Sequence, residues 1–298
     1  MTAQILYALA FLALGIGSIT DLQKREVADW VNYSLIICGI AVNLIFSVHY
    51  WDYSYILNSI LGLLLSLAIG LVMFYTGQWG GGDSKMLIGL GAAIGLTFSL
   101  NSFLAKFYIN ILFAGAFYGL FWLIILAALN FKMIFSKIKQ LYLDKKFRIL
   151  RISMLIFFCV FAIALFLIPE SIIFHDSKLV LFFMVVFLYL MQYLWILAKA
   201  VEEVCMIKEI PVEKLTEGDW IVNDVVIGKK RICGPKDLGI ESTQINALMK
   251  LKAQGKIKSV TVKNGIPFVP SFLLAFVYTY FFNNFFLIDS FLKLLIRY

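Results

Sequence analysis

Charge is what this sequence has least of. Only 15% of its 298 residues are Asp, Glu, Lys or Arg, against about a quarter in a soluble domain. That scarcity excludes a soluble globular enzyme and a disordered chain, both of which need a hydrated polar surface. Histidine is nearly absent: His49 and His175 lie far apart in short loops, which argues against a histidine-based metal site. The four cysteines, Cys38, Cys159, Cys205 and Cys233, are scattered with no Cys-x-x-Cys pair. Neither a zinc ribbon nor a disulfide framework is implied. With 5 prolines and no low-complexity tract, a fibrous or linker role has no support.

Apolar residues fill the space. The chain is 62% hydrophobic and 16% aromatic, with a mean hydropathy of +0.90. Stretches of about 20 apolar residues are long enough to cross a bilayer. Eight such stretches are predicted, over residues 3–19, 31–48, 56–75, 86–100, 107–131, 152–168, 179–197 and 268–288. The expected fold is therefore an all-α polytopic membrane protein of about eight transmembrane helices. The fourth stretch is short, and Gly89, Gly91 and Gly95 point to tight packing against neighbours. Gly115 and Gly119 form a small-x-x-x-small face, for which plain helix packing is the ordinary meaning.

A cleavable signal peptide needs positive charge before its apolar run. Here the first basic residues, Lys24 and Arg25, follow the run, which places the N-terminus outside and these residues inside. Threading all eight stretches from that start puts 22 of the 26 basic residues on the inner side and 4 on the outer. Orientation and contact with membrane lipid headgroups then account for the net charge of +8, and no nucleic acid partner is required.

Residues 1–131 read as a five-span core. Residues 132–200 read as a basic connector (Lys137, Lys139, Lys145, Lys146, Arg148) with a two-span hairpin, and residues 268–298 as the last span and C-terminus. Between them, 201–267 reads as a small cytoplasmic α+β insert. A strand is predicted over 220–227. A helix capped by Ser242 or Thr243 should run to about Ala253 and stop at Gly255, with a second strand over 257–262. Lys250, Lys252, Lys256 and Lys258 would suit a winged-helix DNA binder, but a solvated basic face near lipid explains them more simply.

Ionisable groups at span ends are functional candidates by default. Asp21 follows the first apolar run, and Asp83 ends the run Gly80-Gly81-Gly82-Asp83 before the fourth. Both fall on the cytoplasmic side of this topology. Two adjacent carboxylates share a proton, so that the ionised one deprotonates water while the other protonates a scissile carbonyl oxygen. Glycines without Cβ atoms would let an extended substrate approach and pair by its backbone. The competing reading is a helix-start turn with Asp83 as its cap.

The Gly80-x-Gly82-Asp83 motif, followed by Ser84-Lys85, resembles the signature of the type IV prepilin peptidases. That class of membrane aspartyl protease includes the archaeal preflagellin peptidases. Asp21 with the polar stretch through Trp30 is similar to the archaeal version, as is the separation of the two aspartates. The segment from Gly265 to Pro270 and the run Glu217-Gly218-Asp219-Trp220 resemble later parts of the longer archaeal members.

The resemblance implies an aspartic endopeptidase in the cell membrane with no metal or organic cofactor. Asp21 and Asp83 would be the catalytic pair. Prepilin-like precursors, each with a short basic leader before an apolar helix, would be cut at the cytoplasmic membrane face. On this view Glu26 and Asp29 attract the leader, and Lys85 biases Asp83 or reaches to the interface. Pro267 and Pro270 shape the site wall or merely start a helix. The paired cysteines of bacterial members are absent, so their N-methylation is not carried over. A preflagellin-specific peptidase, a presenilin-like intramembrane protease and a proton-coupled transporter are the alternatives.

Overall fold

The computed structural model describes residues 2–99, 101–169, 175–228 and 230–285. Leu100 at the end of the fourth expected span, residues 286–288 of the eighth, and Lys229, Lys293 and Arg297 of the charge count lie outside them. In chain order the helices are α1 (Thr2–Lys24), α2 (Asp29–Tyr50), α3 (Ser54–Tyr75), α4 (Gly81–Ile94) and α5 (Phe103–Leu129). They continue with α6 (Phe131–Leu143), α7 (Lys145–Leu167), α8 (His175–Val201), α9 (Ser242–Ala253) and α10 (Val269–Phe282). Six of the described helices, α1, α2, α3, α5, α7 and α8, are long and apolar enough to cross a membrane. The protein is a multi-pass membrane protein. It forms two compact units, one of Met1–Trp122 with Ile210–Tyr298 and one of Leu123–Glu209.

The fourth expected span is shorter than its apolar run. α4 has 14 residues, about 21 Å of helix at 1.5 Å per residue, where the hydrocarbon core is about 30 Å thick. It ends because Gly95 turns to φ +76° and the next N–H, of Leu96, donates to the Asn58 carbonyl at 2.8 Å. α4 is buried instead of facing lipid: Met86, Leu87, Leu90, Ala92 and Ala93 are fully enclosed.

Polar side chains at its contacts with α2 and α3 hold it. Asn43 Nδ2 donates to the carbonyls of Gly39 (2.9 Å) and Ala93 (3.2 Å). Ser59 Oγ donates to Ala92 O at 2.6 Å, and Ser84 Oγ to Gly70 O at 3.0 Å. In lipid, where apolar burial offers little drive between helices, small residues and such hydrogen bonds hold a bundle together. The rest of this core joins Leu14 and Val31 to Phe107, Phe272 and Phe276. α10 ends at Asn283 in a left-handed conformation, and the buried Lys106 donates to its carbonyl at 2.8 Å. A cation there complements the helix C-terminus.

Within the described part of the eighth expected span, α10 is likewise 14 residues long. α7 starts seven residues before its predicted span, because Asp144 caps it by accepting from Lys146 N–H at 2.8 Å. In its own unit, α6, α7 and α8 enclose Ile134, Leu141, Phe147, Ile196 and Ala200. Lys137 pairs with Glu203 there at 2.7 Å.

The insert is α+β. Its strands are β1 (Ile207–Pro211), β2 (Trp220–Ile221), β3 (Val225–Ile227), β4 (Lys230–Cys233) and β5 (Ser259–Lys263). One sheet has the order β1–β5–β2; β3 and β4 form a separate antiparallel pair. The strand expected over 220–227 is thus two strands on different sheets, interrupted at 222–224. Asp224 lies in the interruption and accepts from Arg231 at 2.7 Å. α9 spans Ser242–Ala253 as predicted, but its cap is Glu241 paired with Gln244; Ser242 Oγ donates to Glu217 instead. Val212, Ile221, Leu248, Val260 and Val262 form the insert's core.

Burial works to raise the Asp237 carboxyl, but hydrogen bonds from Arg231 and the Gly234 N–H prevail and hold it below the usual carboxylate range. Because the folded value is the lower one, this stabilisation is fully present above the ordinary Asp range. It is lost as pH falls through the folded value. Arg231→Met should therefore raise the pH at which the insert loses its amide hydrogen-exchange protection. Protection with the same acid midpoint in both proteins would refute the assignment.

Candidate active site

Asp21 occupies the last turn of α1 and is 5% exposed. Its Oδ2 accepts the N–H of Val269, the first residue of α10, at 2.9 Å. The carboxylate therefore serves α10 as a cap supplied by a different helix, placed where the helix dipole favours negative charge. Arg25 ends α1 in a left-handed turn, φ +59°, with its N–H on the Asp21 carbonyl at 2.8 Å. Pro267 is buried and Pro270 lies in the first turn of α10. No intrahelical donor is needed at that position, so proline costs nothing there. Both prolines thus act through the start of α10, whose first N–H holds Asp21.

Asp83 sits in the first turn of α4. Its Oδ2 accepts the Gly80 N–H at 3.1 Å. Gly80 is extended, at φ −70° and ψ 165°, whereas Gly81 and Gly82 are already helical. The glycine run is therefore a helix start capped by Asp83, and only Gly80 keeps the extended backbone that strand pairing with a substrate requires. Gly82 meets a different need. A Cβ there would lie 3.2–3.3 Å from Val27, so glycine lets the turn between α1 and α2 close onto α4. Gly17 does the same on α1, where a Cβ would come within 2.6 Å of the Met86 methyl.

These approaches, Val27 on Gly82 and Met86 and Val269 on Gly17, bring the two aspartates to one end of the bundle. Lys85 and Asp29 form an ion pair at 2.6 Å that ties the start of α2 to α4, with the Lys85 ammonium 5.5 Å from the Tyr33 ring centroid. Asp29 thus already has a cationic partner within the chain. Glu26 is exposed on the turn between α1 and α2.

Some residues around the pair carry no signal of their own in the sequence. Trp79 is buried, with its ring centroid 5.8 Å from that of Phe268 and 5.1 Å from that of Phe272. It joins the chain before Gly80 to the start of α10. Its position next to the glycine run was the one available hint. The Val269 N–H is a backbone group, and no side-chain pattern announces it.

This geometry places two carboxylates at one bundle end, each oriented by a helix-start N–H. Residues 8–124 match the Type IV leader peptidase family. That stretch contains both aspartates and all three glycines. The chain is also similar to the preflagellin peptidase of Methanococcus maripaludis, with 40% identity over 88 residues, 30% of this chain and 38% of that protein. The preflagellin peptidase of Methanocaldococcus jannaschii is 41% identical over 83 residues, 28% of this chain and 35% of that one. That of Methanococcus voltae is 34% identical over 90 residues, 30% of this chain and 38% of the relative. The similarity thus spans well under half the length of these curated relatives.

Proposed function

We propose that this chain is a membrane aspartyl endopeptidase that removes the short basic leader from type IV pilin-like or archaellin-like precursors. The observation carrying this reading is the placement of Asp21 and Asp83 at one end of the bundle, each held by a backbone N–H. Similarity to leader peptidases over the segment containing both supports it.

In this mechanism the pair holds one proton between two like charges. The ionised carboxylate takes a proton from a water molecule as that water attacks the scissile carbonyl carbon. The protonated one gives its proton to the carbonyl oxygen. Collapse of the tetrahedral intermediate breaks the C–N bond, and the departing nitrogen regains a proton from the pair. The Gly80 backbone is extended; its carbonyl accepts the Ser84 N–H at 3.2 Å and keeps a second lone pair for the substrate chain. Glu26 meets the basic leader; Asp29 acts with Lys85 to fix the rim.

The basic residues on the inner segments favour an N-terminus outside and a site facing the cytoplasm. Those of the connector, Lys132 to Arg151, contact anionic lipid headgroups.

The names of the relatives make an archaellin-type precursor the first substrate to try. Membranes containing the protein are incubated with a precursor of basic leader and apolar helix, and the product is sequenced from its N-terminus. The expected product begins between leader and helix. An unshortened precursor, or a cut within the apolar helix, refutes the proposal.

A further inference from the structure

The insert does not hang free of the aspartates. Its antiparallel β2–β5 pair has Trp220 opposite Lys263 and Ile221 opposite Val262, and at the Trp220–Lys263 end both strands of this ladder reach the site. On β2, the Trp220 ring lies against Gly77. A Cβ at Gly77 would sit 3.0–3.2 Å from Trp220 ring atoms, and Gly77 holds φ +70°. Only glycine both adopts that backbone readily and leaves room for the indole. Gly77 lies three residues before Gly80, whose N–H holds Asp83.

On the partner strand, β5 runs out from this same end through Gly265, whose carbonyl accepts from Arg25 Nη1 at 2.8 Å. Arg25 follows Asp21 by one helical turn. Four residues beyond Gly265 the same strand exit delivers the Val269 N–H to Asp21. A paired ladder with a packed core beneath it thus bridges the backbone carrying one aspartate to the backbone carrying the other.

We infer that the β2–β5 ladder is a clamp that sets the separation of Asp21 and Asp83, with Trp220 and Arg25 as its positioning residues. This rests on reading the two aspartates as a catalytic pair. Neither positioning residue needs to touch substrate. A misplacement on the order of 1 Å costs about 100-fold in rate, so loosening either strand's attachment should slow turnover while leaving substrate binding intact.

The test uses full-length protein in lipid nanodiscs. Trp220→Ala and Arg25→Ala should each lower kcat about 10- to 100-fold with KM changed less than about twofold. Their pH–rate profiles should shift, because the coupling between two carboxylates depends on their distance. Trp220→Phe keeps a ring against Gly77 and should recover most of the activity. Val226→Ala, on an exposed β3 position, serves as a control for general damage to the insert and should match the parent.

A second readout does not depend on cleavage. Spin labels at exposed Gln23 and Gln78, in a chain whose four cysteines are replaced, report the distance between the two aspartate-bearing segments. The distribution should broaden in Trp220→Ala and Arg25→Ala and stay narrow in Val226→Ala. A distribution unchanged in all three, or a Trp220→Ala enzyme with parental kcat and pH profile, overturns the clamp. A broadened distribution in a protein whose parent cleaves no precursor overturns the peptidase reading and leaves the clamp standing.

Discussion

Asp21→Asn and Asp83→Asn should each abolish precursor shortening. General acid–base catalysis by one group contributes about 10²–10⁴-fold, and a proton held by a pair is lost when either member stops titrating. The same structure makes the change clean. Asparagine keeps a carbonyl oxygen, so position 21 can still accept the Val269 N–H and position 83 the Gly80 N–H. Membrane insertion and thermal stability should therefore stay near the parental values while product vanishes from the immunoblot. Asp21→Leu should lose both activity and stability, since it strands the first N–H of α10. Full cleavage by both asparagine variants rejects the pair; persistent cleavage by one rejects that residue alone.

The second large effect is expected from α4. A Cβ on Gly91 would drive into the Ser66 hydroxyl and the Gly62 carbonyl, and one on Gly62 into the Gly91 carbonyl. Ser66 Oγ is already committed to Gly62 O at 2.6 Å and to the Tyr108 hydroxyl. Gly91→Ala therefore forces α3 and α4 apart and breaks a buried hydrogen bond. Overpacking costs about 1–3 kcal/mol, and a lost buried partner about 1–3 kcal/mol more. Gly119→Ala meets nothing within 4 Å and should stay within about 0.5 kcal/mol of the parent. Unfolding in detergent, followed by circular dichroism, would compare the two. A Gly91→Ala protein as stable as Gly119→Ala would mean that α3 and α4 do not pack as described. Because α4 carries Asp83, the destabilised variant should also lose activity at temperatures where the parent is folded.

Much of the architecture was legible because hydropathy acts locally. A run of apolar residues as long as the bilayer is thick has few alternatives to a helix, and six predicted spans correspond to long apolar helices. α9 was equally plain, with a polar start and Gly255 at its stop. The misjudged lengths have a common cause. In residues 86–100 the apolar character continues past the point where Gly95 turns the chain, and hydropathy has no term for a backbone angle. The expected strand over 220–227 fails for a similar reason: Val222 and Asn223 lie where the chain leaves one sheet for another, and Asp224 answers to Arg231, a partner visible only after folding.

The site divides along the same line. Asp21 and Asp83 stood out because charge at a span end is costly, so composition and position sufficed to single them out as candidates. What the glycines do was settled by distance. Gly82 admits Val27, Gly17 admits Met86 and Gly77 admits Trp220, and in the sequence all three look alike. The Val269 N–H on Asp21, the Trp79–Phe268 contact and the Arg25–Gly265 bond join positions 189 to 248 residues apart. Hydropathy and charge are properties of single residues and short runs, and can be read in order. Contacts between backbones from opposite ends of the chain exist only once the helices have packed.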